Sequence, residues 1–393
     1  MRDNELIMTM SSASEKYSAT PTQNKALLIT DEGKRDMIYS LRDLEGNKGR
    51  IYEVRYSQDY QLDEALNFDI DCTARLKAFV ASHLCDKLPS SAGASISYDA
   101  DCSAFACPDL TTGDCVMGRN FDFNHRDELG ERIMIPLIVV HTAPEGGKKS
   151  VSFVDGQFIG YKSGFYTDGI SDLSMLMALP YMLLDGINED GFAVSVLKLD
   201  GKPTIQRYAD RKKIFTTVAM RLLLDRASTV DEAIELLQQY NMYMDDDPTN
   251  GVDANYHFFM ADAKGNYAIV EYTDSDINNN PSKMEVLRGR DVWRFATNFY
   301  VSPTMADTPY GANHSEHGKD RYVRLGDKLS EAGFNVSTEM AMEMLREVAQ
   351  GPDGDQSSTG FTQWSEVFNL TKKEVTMSIL REWNRQFVFR IEM

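Results

Sequence analysis

The sequence predicts an α+β protein with helices outside antiparallel sheets, and three observations carry that expectation. Strand-like segments come in runs, helical segments fall between them in pairs, and strands close the chain. A good hairpin turn, Asp262–Gly265, separates the extended runs HFFMA and NYAIVEY. No self-similarity at solenoid periods competes with this reading.

The elements follow in order. Residues 1–24 are polar and expected to be mobile. RIYEVRYS then reads as a strand and LDEALNFDIDCTARLKAFVASHLC as helical. PSSAGASISYDAD, residues 89–101, is small, polar and flexible, the composition of an exposed loop where chains are cut. Beyond Cys102, VMGRNFDF, RIMIPLIVVHTA, GFAVSVLKL, YHFFMADAKGNYAIVEYT, WRFATNFYV, EVTMSIL and QFVFRIEM all read as extended. KKIFTTVAMRLLLDRA is a helix, and VDEAIELLQQY is another, with Thr229 and Glu232 spaced as a capping box. STEMAMEMLREVAQ is a third, stopped by Gly351 and Pro352.

Composition excludes several functions. The 393 residues, 42% hydrophobic and 26% charged, suit an ordinary globular protein with a substantial core. A net charge of −19 makes nucleic acid an unsuitable partner, because a phosphate backbone needs a basic face. No apolar run reaches membrane-spanning length, and the start lacks a basic region followed by an apolar one, so a cytoplasmic location is expected. Five cysteines without a CxxC argue against a disulfide framework and a structural zinc. In the acidic run DDDPTNGVD, Gly251 is misplaced for a calcium loop, so a solvated loop is expected there.

The chemistry centres on Cys102. A thiol of pKa about 8.5 needs a base, and none of the six histidines sits in a motif that marks a Cys–His protease. If the Asp101–Cys102 bond is cut, Cys102 gains an α-amine of pKa about 7.7–8.0, which can serve as its own general base. A strand at Cys102–Ala106, a turn at Pro108–Gly113 and a strand at Cys115–Asp122 would bring Arg119 and Asp122 alongside, one to lower the thiol pKa and one to orient the amine.

CSAFACPDLTTGDCVMGRNFDF resembles the start of mature linear-amide C–N hydrolases of the N-terminal-nucleophile superfamily. That group includes choloylglycine hydrolase, penicillin V acylase, acid ceramidase and N-acylethanolamine amidases. Further segments resemble the family in order: LLDGINEDGFAVSVL, the hairpin YHFFMADAKGNYAIVEY, FATNFY, KDRYVRL and TQWSEVFNLTKKEVTMSI. The resemblance implies a four-layer αββα sandwich over residues 102–393, with residues 1–101 a tail and propeptide removed by autocleavage. It implies Cys102 as nucleophile and base, Arg119 and Asp122 as its positioning residues, and Asn298 and Arg321 as active-site support. It further implies hydrolysis of a small-molecule N-acyl amide through a thioester acyl-enzyme, with no metal or organic cofactor; a homo-oligomer stays open. One departure is that the family's oxyanion asparagine aligns with Lys198, so Lys198 or a backbone N–H is expected to take that role.

The methionine-rich DLSMLMALPYMLL is either core or pocket wall, and His257 is expected to be a satisfied, semi-buried histidine. Three rival readings remain at this stage: an acyltransferase using the same acyl-enzyme, an uncleaved binding scaffold, and a Cys–His protease built on a histidine such as His257.

Overall fold

The computed structural model describes residues 6–8, 29–85, 100–127, 129–201, 203–244, 255–273, 282–351 and 360–391. Most of the polar start, the loop at 89–99 and the acidic run at 245–253 lie outside the described residues.

Two sheets make the two central layers. The seven-stranded sheet runs Leu6–Met8, Arg385–Arg390, Glu374–Ile379, Thr362–Asn369, Asp114–Phe123, Ala100–Asp109 and Phe295–Ala296. The nine-stranded sheet carries, from its centre outward, Ala193–Leu199, Asp185–Asn188, Ser150–Asp155, Leu137–Thr142, Ile51–Tyr56 and Arg42–Asp43 on one side. Asn255–Ala261, Tyr267–Thr273 and Lys283–Leu287 complete it on the other. Pairing is antiparallel except where Ile51–Tyr56 meets Leu137–Thr142 and where Leu6–Met8 meets Arg385–Arg390. The sheets face each other, and Phe153 of one meets Phe368 and Phe389 of the other edge-on. Helices Thr216–Arg226 and Val230–Leu237 pack against the nine-stranded side, and Lys319–Glu331 and Thr338–Glu347 against the seven-stranded side. This is the αββα layering that the sequence resemblance implied.

The hairpin of Ala100–Asp109 and Asp114–Phe123 positions the site, and its pleat sorts its side chains. Cys102, Ala104, Ala106, Met117, Phe121 and Phe123 belong to the core between the sheets. Phe105, Cys107 and Val116 belong to a second core beneath the outer helices, with Phe295, Leu325, Leu345 and Val367. That is the two-residue alternation of a strand buried on both faces. The strands are longer than expected and the turn is tighter: Asp109 accepts from Thr111 and Thr112, and Gly113 takes φ +79°. The Gly118–Asp122 segment is interior strand, and Gly118 is required there because the Phe105 ring of the paired strand lies 2.5 Å from where a Cβ would stand.

Three other expectations are corrected. The segment 62–85 is broken into Leu62–Asn67 and Thr73–Phe79, followed by a π turn at Val80–Leu84, because Asp69 takes a left-handed backbone, φ +60°. KKIF opens the next helix as a short strand paired with Tyr240–Tyr243, and helix begins only at Thr216. Of WRFATNFYV only Phe295–Ala296 joins a sheet, at its edge. The cap forms at Thr229 as read, accepting from the Glu232 N–H, while the Glu232 carboxylate reaches one residue further back than a capping box, to the Ser228 N–H. The methionine-rich segment is a buried 3₁₀ stretch, Leu173–Tyr181, hence chiefly core. No described helix is long and apolar enough to cross a membrane.

Residues ahead of Cys102 are part of this architecture. Ile51, Tyr52, Val54 and Tyr56 fill the main core from a strand inside the nine-stranded sheet, and Phe79, Val80 and Leu84 join the same core.

Gly118→Ala tests the packing argument. It should lower stability by about 1–3 kcal/mol through overpacking against Phe105, read as a reduced urea midpoint with an unchanged slope.

Candidate active site

Cys102 pairs with Phe121 in the hairpin, and Ala104 pairs with Arg119, so the thiol and the Arg119 guanidinium share the inner face. The guanidinium Nη2 lies 3.9 Å from Cys102 Sγ and donates to the Val196 carbonyl at 3.3 Å. Arg119 is completely buried, and its Nε lies 2.9 Å from Asp185 and 3.9 Å from Glu366. It also lies over the rings of Phe121 and Trp364. Burial raises the pKa of both Asp185 and Glu366, and proximity raises that of Glu366 again.

On the outer face stands a second buried arginine. Arg321, in the first turn of helix Lys319–Glu331, donates to the Cys102 carbonyl at 2.6 Å, to Ser103 Oγ at 3.1 Å and to Asn298 Oδ1 at 2.9 Å. It also pairs with Asp101 at 2.9 Å and faces Asp122 at 3.7 Å. Asn298 ties the two halves together: its Oδ1 accepts from the Cys102 N–H at 2.8 Å, and its Nδ2 donates to the Lys198 carbonyl at 2.9 Å.

Asp122, expected to orient the amine, faces Arg321 instead, and it is Asn298 that holds the Cys102 N–H. Residues three apart on a strand point to opposite faces, so Asp122 turns away from the thiol toward Arg321 and accepts from Thr362. Burial raises the Asp122 pKa to about 7, against the lowering effects of Arg321 and Thr362. The thiol of Cys102 is likewise raised by burial, to about 11, with Arg119 the largest opposing influence. Asp101 shows the reverse balance: burial would raise it, but His317 and Arg321 hold it near 2.

Ala100, Phe121, Phe123, Phe158, Leu184, Val196, Lys198 and Tyr256 enclose the inner side of Cys102. The free space there is about 20 Å³, room for a single water, and Ala100 is part of the wall. Lys198 does border the thiol's pocket, and its carbonyl is what Asn298 grips.

The structure thus gathers Cys102, Arg119, Asn298 and Arg321 and places Asp122 one contact further out, behind Arg321. Sequence reasoning missed Asp185, Glu366 and His317. The first two stood inside LLDGINEDGFAVSVL and TQWSEVFNL, on strands that are buried along their whole length, where a carboxyl needs a cation. His257 is a satisfied core histidine as expected, buried between Glu271 and the Thr297 carbonyl.

Comparison with known proteins now decides the family. The model of linear amide C–N hydrolases, choloylglycine hydrolase family, matches residues 102–307. The chain belongs to that family. Penicillin V acylase from Pectobacterium atrosepticum is 35% identical over 94 residues, 23% of this chain. The chain spans only 25% of the length of that curated relative. Among solved structures, a mutant conjugated bile acid hydrolase from Clostridium perfringens is similar with TM-score 0.48 and 12% identity, covering 74% of this chain and 92% of that one. Penicillin V acylase from Agrobacterium tumefaciens is similar with TM-score 0.44 and 18% identity, covering 70% and 82%. The family match begins at Cys102 itself, the residue held by Asn298 and Arg321.

Asp122 gives this site a pH signature. Its folded pKa, about 7, lies above the ordinary 3.8, so its contribution to stability is full below about pH 4 and is lost as pH rises through 7. Urea unfolding of Asp122→Asn beside its parent, both carrying Cys102→Ala, should show the Asn variant gaining on its parent between pH 4 and 8.

Proposed function

We propose that the protein is a cysteine N-terminal-nucleophile amidohydrolase that cleaves a linear, non-peptide amide of an N-acylated amine or amino acid. In this reading the chain cuts its own Asp101–Cys102 bond, residues 1–101 serve as the propeptide, and residues 102–393 carry catalysis. The observation that carries it is the set of contacts on Cys102: Asn298 on its nitrogen, Arg321 on its carbonyl and Arg119 beside its sulfur. The family match starting at Cys102 supports the same boundary.

The mechanism follows from those contacts. The freed α-amine, oriented by Asn298 Oδ1, takes the thiol proton, and the Arg119 guanidinium favours the resulting thiolate. Sulfur attacks the amide carbon, the α-ammonium returns the proton to the leaving amine, and water then hydrolyses the thioester. Asn298 and Arg321 steady the tetrahedral intermediate and the amine side, while Asp122 holds Arg321 from behind. The aromatic and leucine walls of the pocket suit an apolar acyl group once Ala100 has moved aside. Because Ile51–Tyr56 is a strand of the nine-stranded sheet, a cut before Cys102 leaves residues 29–85 docked for as long as that sheet holds.

Intact mass and N-terminal sequencing test the first step: wild type should yield a chain beginning at Cys102, and Cys102→Ala should stay full length. An uncut wild type that still hydrolyses amides would rule the mechanism out. The panel for turnover is penicillin V, conjugated bile salts, N-acyl amino acids and N-acylethanolamines. On whichever turns over fastest, Asn298→Ala should lower kcat/KM by about 10²–10³-fold, with the fold intact by circular dichroism.

A further inference from the structure

Asp101 occupies the acyl side of the bond that the proposed cleavage breaks, and its side chain is held more firmly than a surface loop would need. Its carboxylate receives Arg321 Nη2 at 2.9 Å and the Nε2 of His317. His317 Nδ1, in turn, faces Asp200 at 2.9 Å. Each ring nitrogen of His317 therefore faces a carboxylate, and an imidazole can donate on both sides only when doubly protonated. The three residues come from separate places: Asp101 from the hairpin of the seven-stranded sheet, Asp200 from just beyond strand Ala193–Leu199 of the other sheet, and His317 from the approach to helix Lys319–Glu331. Sheet, sheet and helix layer thus meet at the His317 ring.

We propose that His317, backed by Asp200, is a positioning residue for self-cleavage, gripping the Asp101 side chain so that the Asp101 carbonyl stays within reach of Cys102 sulfur. The proposal rests on the processing reading above and extends it to residues outside the hydrolytic set. In the step concerned, the Cys102 sulfur bonds to the Asp101 carbonyl carbon and the bond from that carbon to the Cys102 nitrogen breaks. The thiol proton ends on that nitrogen, which becomes the α-amine. Water then cleaves the thioester, leaving the Asp101 α-carboxylate and a free thiol.

Both halves of the scissile bond need fixing for this shift, because the attack is intramolecular and its rate depends on held geometry. Asn298 and Arg321 fix the amine half, through the Cys102 nitrogen and carbonyl. Arg321 and His317 fix the acyl half, through Asp101. Arg321 is thus shared between the halves and continues in service after the cut. Of the two halves His317 touches only the one that must leave: Ala100, next to Asp101, is part of the pocket wall against Cys102, so withdrawal of that end makes room beside the thiol. The grip of His317 therefore belongs to processing and drops out of turnover.

The test uses full-length chains followed from synthesis by intact mass. His317→Gln, which cannot donate to both carboxylates as an imidazolium does, should slow appearance of the cleaved chain by about tenfold or more. In the fraction that does cleave, Cys102 should react with iodoacetamide at the wild-type rate, and turnover per cleaved chain should be unchanged. In an Asp101→Ala background the His317→Gln effect should shrink toward nothing, since the partner it grips is gone. Cleavage of His317→Gln at the wild-type rate overturns the proposal, as does a slowing that persists undiminished with Asp101→Ala, or an equal loss of reactivity in the cleaved chains. A wild type that is never cut removes instead the processing reading beneath it, and wild type alone reveals that.

Discussion

Two guanidinium groups are buried within one hairpin's reach, and the rest of the structure is arranged to make that tolerable. A charge taken out of water is expensive unless it is paired and hydrogen-bonded. Arg119, fully buried on the inner face, receives Asp185 from the nine-stranded sheet and Glu366 from its own. The pairing therefore spans the gap between the layers, and the sheets cannot separate locally without stranding a cation. Arg321 on the outer face draws Asp101, Asp122, Asn298 and Ser103 toward the first turn of one helix. Cys102 sits where the two systems come closest, with its side chain in one and its backbone in the other.

This division explains which parts of the site were legible in the sequence. The spacing from Cys102 to Arg119 and Asp122 placed both on the strand beside the cysteine, because a tight hairpin brings them level with it in any register close to the observed one. What spacing alone obscured was the face. Setting both beside Cys102 overlooked the pleat, whereby an interior strand sends them to opposite layers and gives each a different counter-ion. Asn298 and Arg321 were found only through resemblance; nothing in FATNFY or KDRYVRL by itself tells a buried site residue from an exposed one. His317 lay two residues before that second segment and carried no local signal, since its two carboxylates come from residues 101 and 200.

The fold was legible to a similar depth. Layers, hairpins and the Thr229 cap followed from periodicity and turn chemistry, which are local. The failures are the places where tertiary pairing overrides a local pattern. KKIF carries helical neighbours but finds Tyr240–Tyr243 to pair with, and the apolar spacing of 62–85 continues straight through the reversal at Asp69. The contribution of residues 51–56 to the nine-stranded sheet was also unreadable, because a parallel strand gives no signal of which distant partner it will join.

The narrow pocket and the raised thiol belong together. With Ala100 in the wall and room for about one water, Cys102 is desolvated, and burial outweighs the Arg119 charge in setting a thiol pKa of about 11. A thiol in that state is a poor nucleophile toward outside molecules, while the one carbonyl it cannot escape is that of Asp101, covalently next to it. Under the proposed cleavage, the same event that supplies an amine base also frees the segment that excludes water. Desolvation then relaxes, the Arg119 influence gains relative weight, and the thiol pKa falls toward the range where the new amine can deprotonate it. Reactivity toward external amides is in this way tied to the cut by the burial of a single residue, with no separate switch required.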